Sequence, residues 1–216
     1  MTDNRSAQVL ILATCVLLFG GCRKRASDEI DYGTIKNSVY QNAYFGFSLT
    51  LPPEWSVQDQ EMRQRLTEAG TKVLVGEDKG MKAALKASEQ QTISLLTAFQ
   101  HPVGTPVDFN PSIICVAERV RHLPGLKRGR DYHFHAKKLL QGGQVKFDFS
   151  KEISTEKLGG IDFDVMHVSM TLGRSTVQQN YYAAIMKGCA LLFIVSFASP
   201  NDESALRSIL ESVSFQ

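Results

Sequence analysis

A carboxylate pair, a histidine pair and a few cysteines are the residues here whose types and spacing suit chemistry. Asp162 and Asp164 stand two apart at the start of the largely apolar run Ile161–Leu172. On a strand that spacing puts both carboxylates on one face, the minimum geometry for a general acid and base. Their place at the run's beginning reads more simply as the wet end of a strand. His133 and His135 are also two apart, but their segment reads as a helix, where positions i and i+2 point away from each other. A metal needs three or four converging ligands, and spacing brings no such set together from His101, His122, His133, His135 and His167. Gly142-Gly143 and Gly159-Gly160 are isolated turn dipeptides outside any phosphate-loop context. No Gly-x-Ser-x-Gly nucleophile elbow occurs. The expectation is a chain with no catalytic set, no metal and no cofactor.

The cysteines point elsewhere. After a short polar start with Arg5, residues Val9 to Gly21 carry no charge and end in Leu18-Phe19-Gly20-Gly21-Cys22. The run is shorter than the roughly 20 apolar residues a membrane-spanning helix needs and suits the apolar region of an export signal. Its end is similar to the lipobox of bacterial lipoproteins. Two small residues let extended backbone enter a peptidase site, and the Cys22 thiol accepts a diacylglycerol. Phe19 stands where leucine is common, and Asp3 weakens the positive start. The resemblance implies that residues 1–21 are removed as a signal peptide. Residues 22–38 then form a flexible tether and residues 39–216 a globular domain at the outer side of a membrane. One acyl chain binds marginally and two or three hold firmly, so palmitate-type acylation at Cys22 implies a permanent anchor. Arg23 is not the aspartate that retains lipoproteins in the inner membrane of enteric bacteria, which favours the outer membrane in a Gram-negative cell. Cys115 and Cys189 remain in the domain, as buried thiols or as a disulfide allowed by an oxidising compartment.

Charge bounds the partners. Lys and Arg total 24 against 22 acids, a net +2, which argues against a dedicated nucleic-acid binder, whose affinity comes from neutralising phosphates. The charge is uneven, however. Arg119, Arg121, Lys127, Arg128, Arg130, Lys137 and Lys138 are interrupted by one acid, Asp131. That cluster reads as a solvated loop and helix face, or more sharply as a docking face for anionic lipid headgroups or an acidic partner.

The elements that must position these residues are those of one domain, since 216 residues with 43% hydrophobic content suit a single packed core. Phe47, Leu49 and Leu51 alternate with polar residues as a half-buried strand, which Pro52-Pro53 ends, and Trp55 follows as an apolar cover. Met62, Leu66, Ala69 and Val73 recur at helical spacing, with a further helical stretch at Met81–Ser88. Strands are expected at Thr92–Gln100 and Ser112–Arg121, and a helix at Asp131–Leu140. Ile161–Leu172, Thr176–Met186 and Cys189–Ala198 form an antiparallel meander through turn-length links. Cys189–Ala198 is apolar on both faces and so must be covered on both. Ser199 and Pro200 open a last helix with the stripe Ala205, Leu206, Ile209, Leu210 and Val213. The fold class is α+β, an antiparallel sheet with helices on both faces.

With these elements placed, the chain resembles the PsbP-like family, the Mog-type α/β/α sandwich. The resemblance is carried by Tyr44-Phe45-Gly46-Phe47-Ser48-Leu49-Thr50-Leu51-Pro52-Pro53-Glu54-Trp55. At the far end it is carried by Tyr181-Tyr182, the Lys187-Gly188 turn, and Ile209-Leu210-Glu211-Ser212-Val213-Ser214-Phe215. It covers residues 39–216, apart from Met62–Ser88 and the loop Gln141–Gln144. It implies a binding or assembly module of the cell envelope with a protein partner, in place of an activity. The competing expectations are an envelope hydrolase with a site of unfamiliar type, and a carrier of a small apolar ligand held between sheet and helix. The anchor is checked by the intact mass of the mature protein, which should lack residues 1–21 and carry acyl chains on Cys22. Cys22→Ala should carry none.

Overall fold

The computed structural model describes residues 30–75, 80, 82–83, 89–123, 125–172 and 175–216. Cys22, the signal segment and most of the Met81–Ser88 stretch lie outside the described residues. Strands β1 (Thr34–Lys36), β2 (Val39–Asn42), β3 (Phe47–Thr50) and β4 (Ser56–Val57) come first. Helix α1 (Gln60–Val75), β5 (Thr92–Phe99), β6 (Ser112–Arg119) and α2 (Gly129–Gly142) follow. Then come β7 (Phe147–Asp148), β8 (Ser154–Leu158), β9 (Ile161–Leu172), β10 (Ser175–Met186), β11 (Cys189–Phe197), α3 (Pro200–Glu211) and β12 (Ser214–Phe215).

The strands form two antiparallel sheets. The larger runs β4-β5-β6-β11-β10-β9-β7, with β8 also on β9, and the smaller runs β1-β2-β3-β12. The meander β9-β10-β11 is as expected, Tyr182 standing opposite both Val165 and Phe193. Its β10–β11 turn, Lys187-Gly188, has both φ angles positive at 51° and 75°, matching the strand twist as a two-residue hairpin requires.

Both faces of the apolar strand β11 are covered, and all nine of its residues are buried. Leu191, Phe193 and Val195 join Tyr40, Phe47 and Leu49 of the small sheet and Leu206, Ile209 and Leu210 of α3 in one core. Phe193 is the hinge of that core: its ring lies 5.3 Å from Phe47 and 5.5 Å from Phe163. Ala190, Leu192 and Ile194 face the other way, onto Leu66 and Leu74 of α1 and Tyr132, Ala136 and Leu140 of α2. Helices thus cover both faces, and a four-stranded sheet that the pattern did not suggest shares one face with α3. The capped start of α3 is as read: Ser199 Oγ accepts from Asp202 N at 3.2 Å, and Asp202 Oδ2 accepts from Ser199 N at 3.0 Å.

One boundary differs from expectation. The tether does not extend to residue 38, because Ile30 is buried in the first core and Thr34–Lys36 pairs with Val39–Gln41. An exposed pattern made this strand look like linker, and only pairing reveals it. Of the two readings of Cys115 and Cys189, the structure has the buried free thiols in place of the disulfide. In the β6–β11 ladder Cys115 stands opposite Phe193, and Cys189 opposite Arg119. That is a separation of four positions along the strand, about 13 Å at the usual rise, well beyond disulfide reach.

Truncating the hinge should be costly. Phe193→Ala is expected to destabilise the domain by about 3–5 kcal/mol, the range for a large core aromatic, as read from urea midpoints at unchanged slope.

Candidate functional site

The densest arrangement of charged and polar groups lies where α2 starts against β9 and β10. The segment Leu126-Lys127-Arg128-Gly129-Arg130-Asp131 brings the helix into direct contact with the sheet. A Cβ at Gly129 would stand 2.0 Å from the Ala183 carbonyl oxygen, so only glycine fits. The amides that lead into and open the helix are met by two carboxylates. Asp131 Oδ2 accepts from the Lys127 and Arg128 amides, each at 2.9 Å. Asp164, reaching across from β9, accepts from Arg130 N at 2.9 Å. Carboxylates at a helix N-terminus also suit the positive end of its dipole.

Asp164 is 3% exposed, so its charge must be matched inside the protein. Its Oδ1 accepts from Thr155 Oγ1 at 2.7 Å, Arg128 Nη2 at 3.2 Å and Arg130 Nη2 at 3.3 Å. Burial by itself would raise its pKa, but the Thr155 hydroxyl, the Arg130 amide and the two guanidiniums more than offset that and hold it below the usual carboxylate value. The amides of Lys127 and Arg128 lower Asp131 likewise. Asp164 is thus the correction to the wet-end reading of Asp162 and Asp164. Asp162 alone is exposed, paired with Lys157 at 2.5 Å, and no carboxylate dyad forms.

His133, one helical turn in, is fully buried and its Nε2 lies 2.8 Å from the Asp164 carbonyl oxygen. Because a carbonyl only accepts, Nε2 carries the proton. Nδ1 has no hydrogen-bond partner of good geometry, although the nearby Tyr181 backbone slightly favours the charged form. Burial dominates and pushes the imidazole pKa down to about 4, so the ring is neutral at physiological pH. His135 faces elsewhere, half-buried, and among the described residues no three His, Cys, Asp or Glu side chains converge as metal ligands.

Further polar groups are buried on the helix-covered face of the sheet. Tyr132 Oη donates to Glu118 Oε2 at 2.6 Å, both buried. Tyr181 Oη donates to Gln179 Oε1 at 2.7 Å, and Gln179 Nε2 to Ser196 Oγ at 3.0 Å. The sequence left Glu118, Asp164 and His133 without these roles, and the one available signal was a charge set among large apolar neighbours.

The basic cluster divides when folded. Arg128 and Arg130 are half spent on Asp164, their side chains remaining 53% and 49% exposed. Lys137 Nζ sits 5.0 Å from the Phe149 ring centre, and Lys138 Nζ 4.4 Å from that of Phe134. Lys127 is exposed. Arg119 ends β6, and Arg121 lies over Gly188 and donates to the Lys187 carbonyl at 3.2 Å. A separate open hollow of about 460 Å³ on the small sheet is lined by Asp31, Gln41, Asn42, Phe47 and Gln216, among others. Asp31 already accepts there from the Gly33 amide. None of the described helices is long and apolar enough to cross a membrane.

The architecture is an α+β sandwich, and its neighbours among solved structures include members of the PsbP/Mog1 fold family. No family model matches the chain, and no curated protein does. Cyanobacterial PsbP (CyanoP) from Synechocystis sp. PCC 6803 is similar at 11% identity and a TM-score of 0.48, over 91% of this chain and 98% of that one. The Saccharomyces cerevisiae Ran-binding protein Mog1p is similar at 10% identity and 0.42, over 84% and 96%. LpqN, involved in cell envelope biogenesis of Mycobacterium tuberculosis, is similar at 15% identity and 0.42, over 79% and 83%. The chain spans about half (49%) of the length of a Bacteroides thetaiotaomicron protein that it resembles at 10% identity and 0.45. Likeness of this order carries no function across.

The buried histidine makes stability depend on pH. Its folded pKa, about 4, is below the unfolded value near 6.5, so the unfolded chain takes up the proton first as pH falls. The contribution is complete above pH 6.5 and lost progressively down to pH 4, by about 3 kcal/mol. Asp164, with its lowered pKa, holds its contribution across this window. His133→Gln, which keeps a donor for the Asp164 carbonyl, should lose less stability between pH 7 and pH 4 by that amount in urea melts. Equal pH slopes would refute the assignment.

Proposed function

We propose that this protein is a lipid-anchored binding or assembly module of the bacterial cell envelope, held by acyl chains on Cys22, that does no covalent chemistry. The supporting observation is how its inner charges are used. Asp164 takes four donors at the α2 start, and Glu118 takes the Tyr132 hydroxyl. These groups join helix to sheet, and neither lines the hollow on the small sheet. A general acid or base needs instead an accessible group poised near the working pH. The space where a carrier would hold an apolar ligand, between α2 and the sheet, is filled by Tyr132, Ala136, Leu140, Met166, Val168 and Leu192. The envelope connection of LpqN and the partner-binding description of Mog1p agree with this reading. Outer-membrane placement rests on Arg23 alone.

Crosslinking in intact cells tests the role. The wild-type chain should sediment with membranes and give a discrete crosslinked protein complex, and Cys22→Ala should lose both. Turnover of an ester, peptide or glycoside by the purified protein, abolished by a single polar substitution, would overturn the proposal.

A further inference from the structure

Helix α2 buries Tyr132, Ala136 and Leu140 against the large sheet, and its opposite side is exposed at Arg130, Phe134 and Lys138. These three recur at i, i+4 and i+8, one above another along the helix. Phe134 is 57% exposed, the most exposed large apolar side chain among the described residues. Lys138 stands over its ring at 4.4 Å, so an apolar contact and a cation are presented together. Lys127, Arg128, Arg130, Lys137 and Lys138 supply five positive charges along this helix and its lead-in, against Asp131 and Asp164, leaving a net +3. Both carboxylates are already committed to amides at the start of the helix and its lead-in, so neither neutralises the far end of the stripe at Lys138.

The occupant follows from where the chain enters the domain. Ile30 packs in the core under the small sheet, whereas α2 covers the opposite face of the large sheet. From Cys22 to Ile30 is eight residues, which reach about 29 Å at full extension. The tether therefore joins the domain on the side away from α2, and an exposed ring beside a cation on α2 complements an acidic segment with an apolar side chain. We propose that the Arg130–Phe134–Lys138 face is a docking surface for an acidic protein segment bearing an apolar side chain that covers Phe134. The direction of the face rests on the Cys22 anchor proposed above, and its charge and aromatic character do not.

The test uses the full lipidated protein in phosphatidylcholine nanodiscs, titrated with a labelled Glu-rich peptide carrying one leucine. Binding should weaken about tenfold or more in both Phe134→Ser and Lys138→Glu, and also when the peptide's leucine becomes serine, as an apolar anchor ringed by charge requires. Lys36→Glu, on exposed β1 across the molecule, should bind as wild type. Absence of peptide binding, or Phe134→Ser binding as well as wild type, would overturn the proposal. So would adsorption to phosphatidylglycerol vesicles through these same residues without peptide binding. If peptide binding fails while the acyl mass on Cys22 is found, the docking face is wrong and the anchor stands. If the acyl mass is missing while the peptide binds, the reverse holds.

Discussion

A central strand with no polar face is the constraint that organises this protein. β11 carries Leu191, Phe193 and Val195 to one side and Ala190, Leu192 and Ile194 to the other. Leaving either row in water would cost about 1.5–3 kcal/mol for each large side chain, so the sheet must be the middle layer of three. The meander β9-β10-β11 brings β11 in beside β10, and β6 closes its other edge. α1 and α2 are then driven to one face, and α3 with the small sheet to the other. Two main cores result, with the sheet as their common wall, and a small third cluster forms around Met170 and Val177.

The second governing feature is how a buried charge is kept. Asp164 sits on the helical side of that wall, where an unpaired carboxylate would be prohibitive. The start of α2 solves this problem and its own at once, because the same carboxylate satisfies a free helical amide and holds two guanidiniums. Buried ion pairs are weak evidence of added stability, since desolvation offsets much of their attraction. Their value here is positional. Asp164 and the glycine contact at Ala183 set where α2 begins and how it is rotated on the sheet, and so which residues it turns outward.

That rotation links the interior to the proposed role. With Tyr132, His133, Ala136 and Leu140 directed inward, Phe134 and Lys138 are left facing solvent, in line with Arg130, whose half-exposed side chain also reaches Asp164. In the proposed function, the end where the chain enters under the small sheet would be the anchored pole, and the basic, aromatic face of α2 the docking pole.

Much of the architecture was legible in the residues. Alternation marked β3 and the meander, the doubly apolar run Cys189–Ala198 required three layers, and Ser199-Pro200 announced α3, because these signals are local and repeat within one element. The small sheet escaped notice because β1 and β12 are too short and exposed to show a period, and only pairing with β2 and β3 defines them. The partition of the basic cluster likewise depended on the tertiary fold. Seven basic side chains within twenty residues carry the same charge, and nothing local distinguishes Arg128 and Arg130, drawn to Asp164 on a strand over thirty residues away, from Lys138 beside Phe134. Composition and spacing determined the layers. Long-range contacts decided which charges are drawn to the core and which stay at the surface, because burial of a charge is settled only by what folds over it.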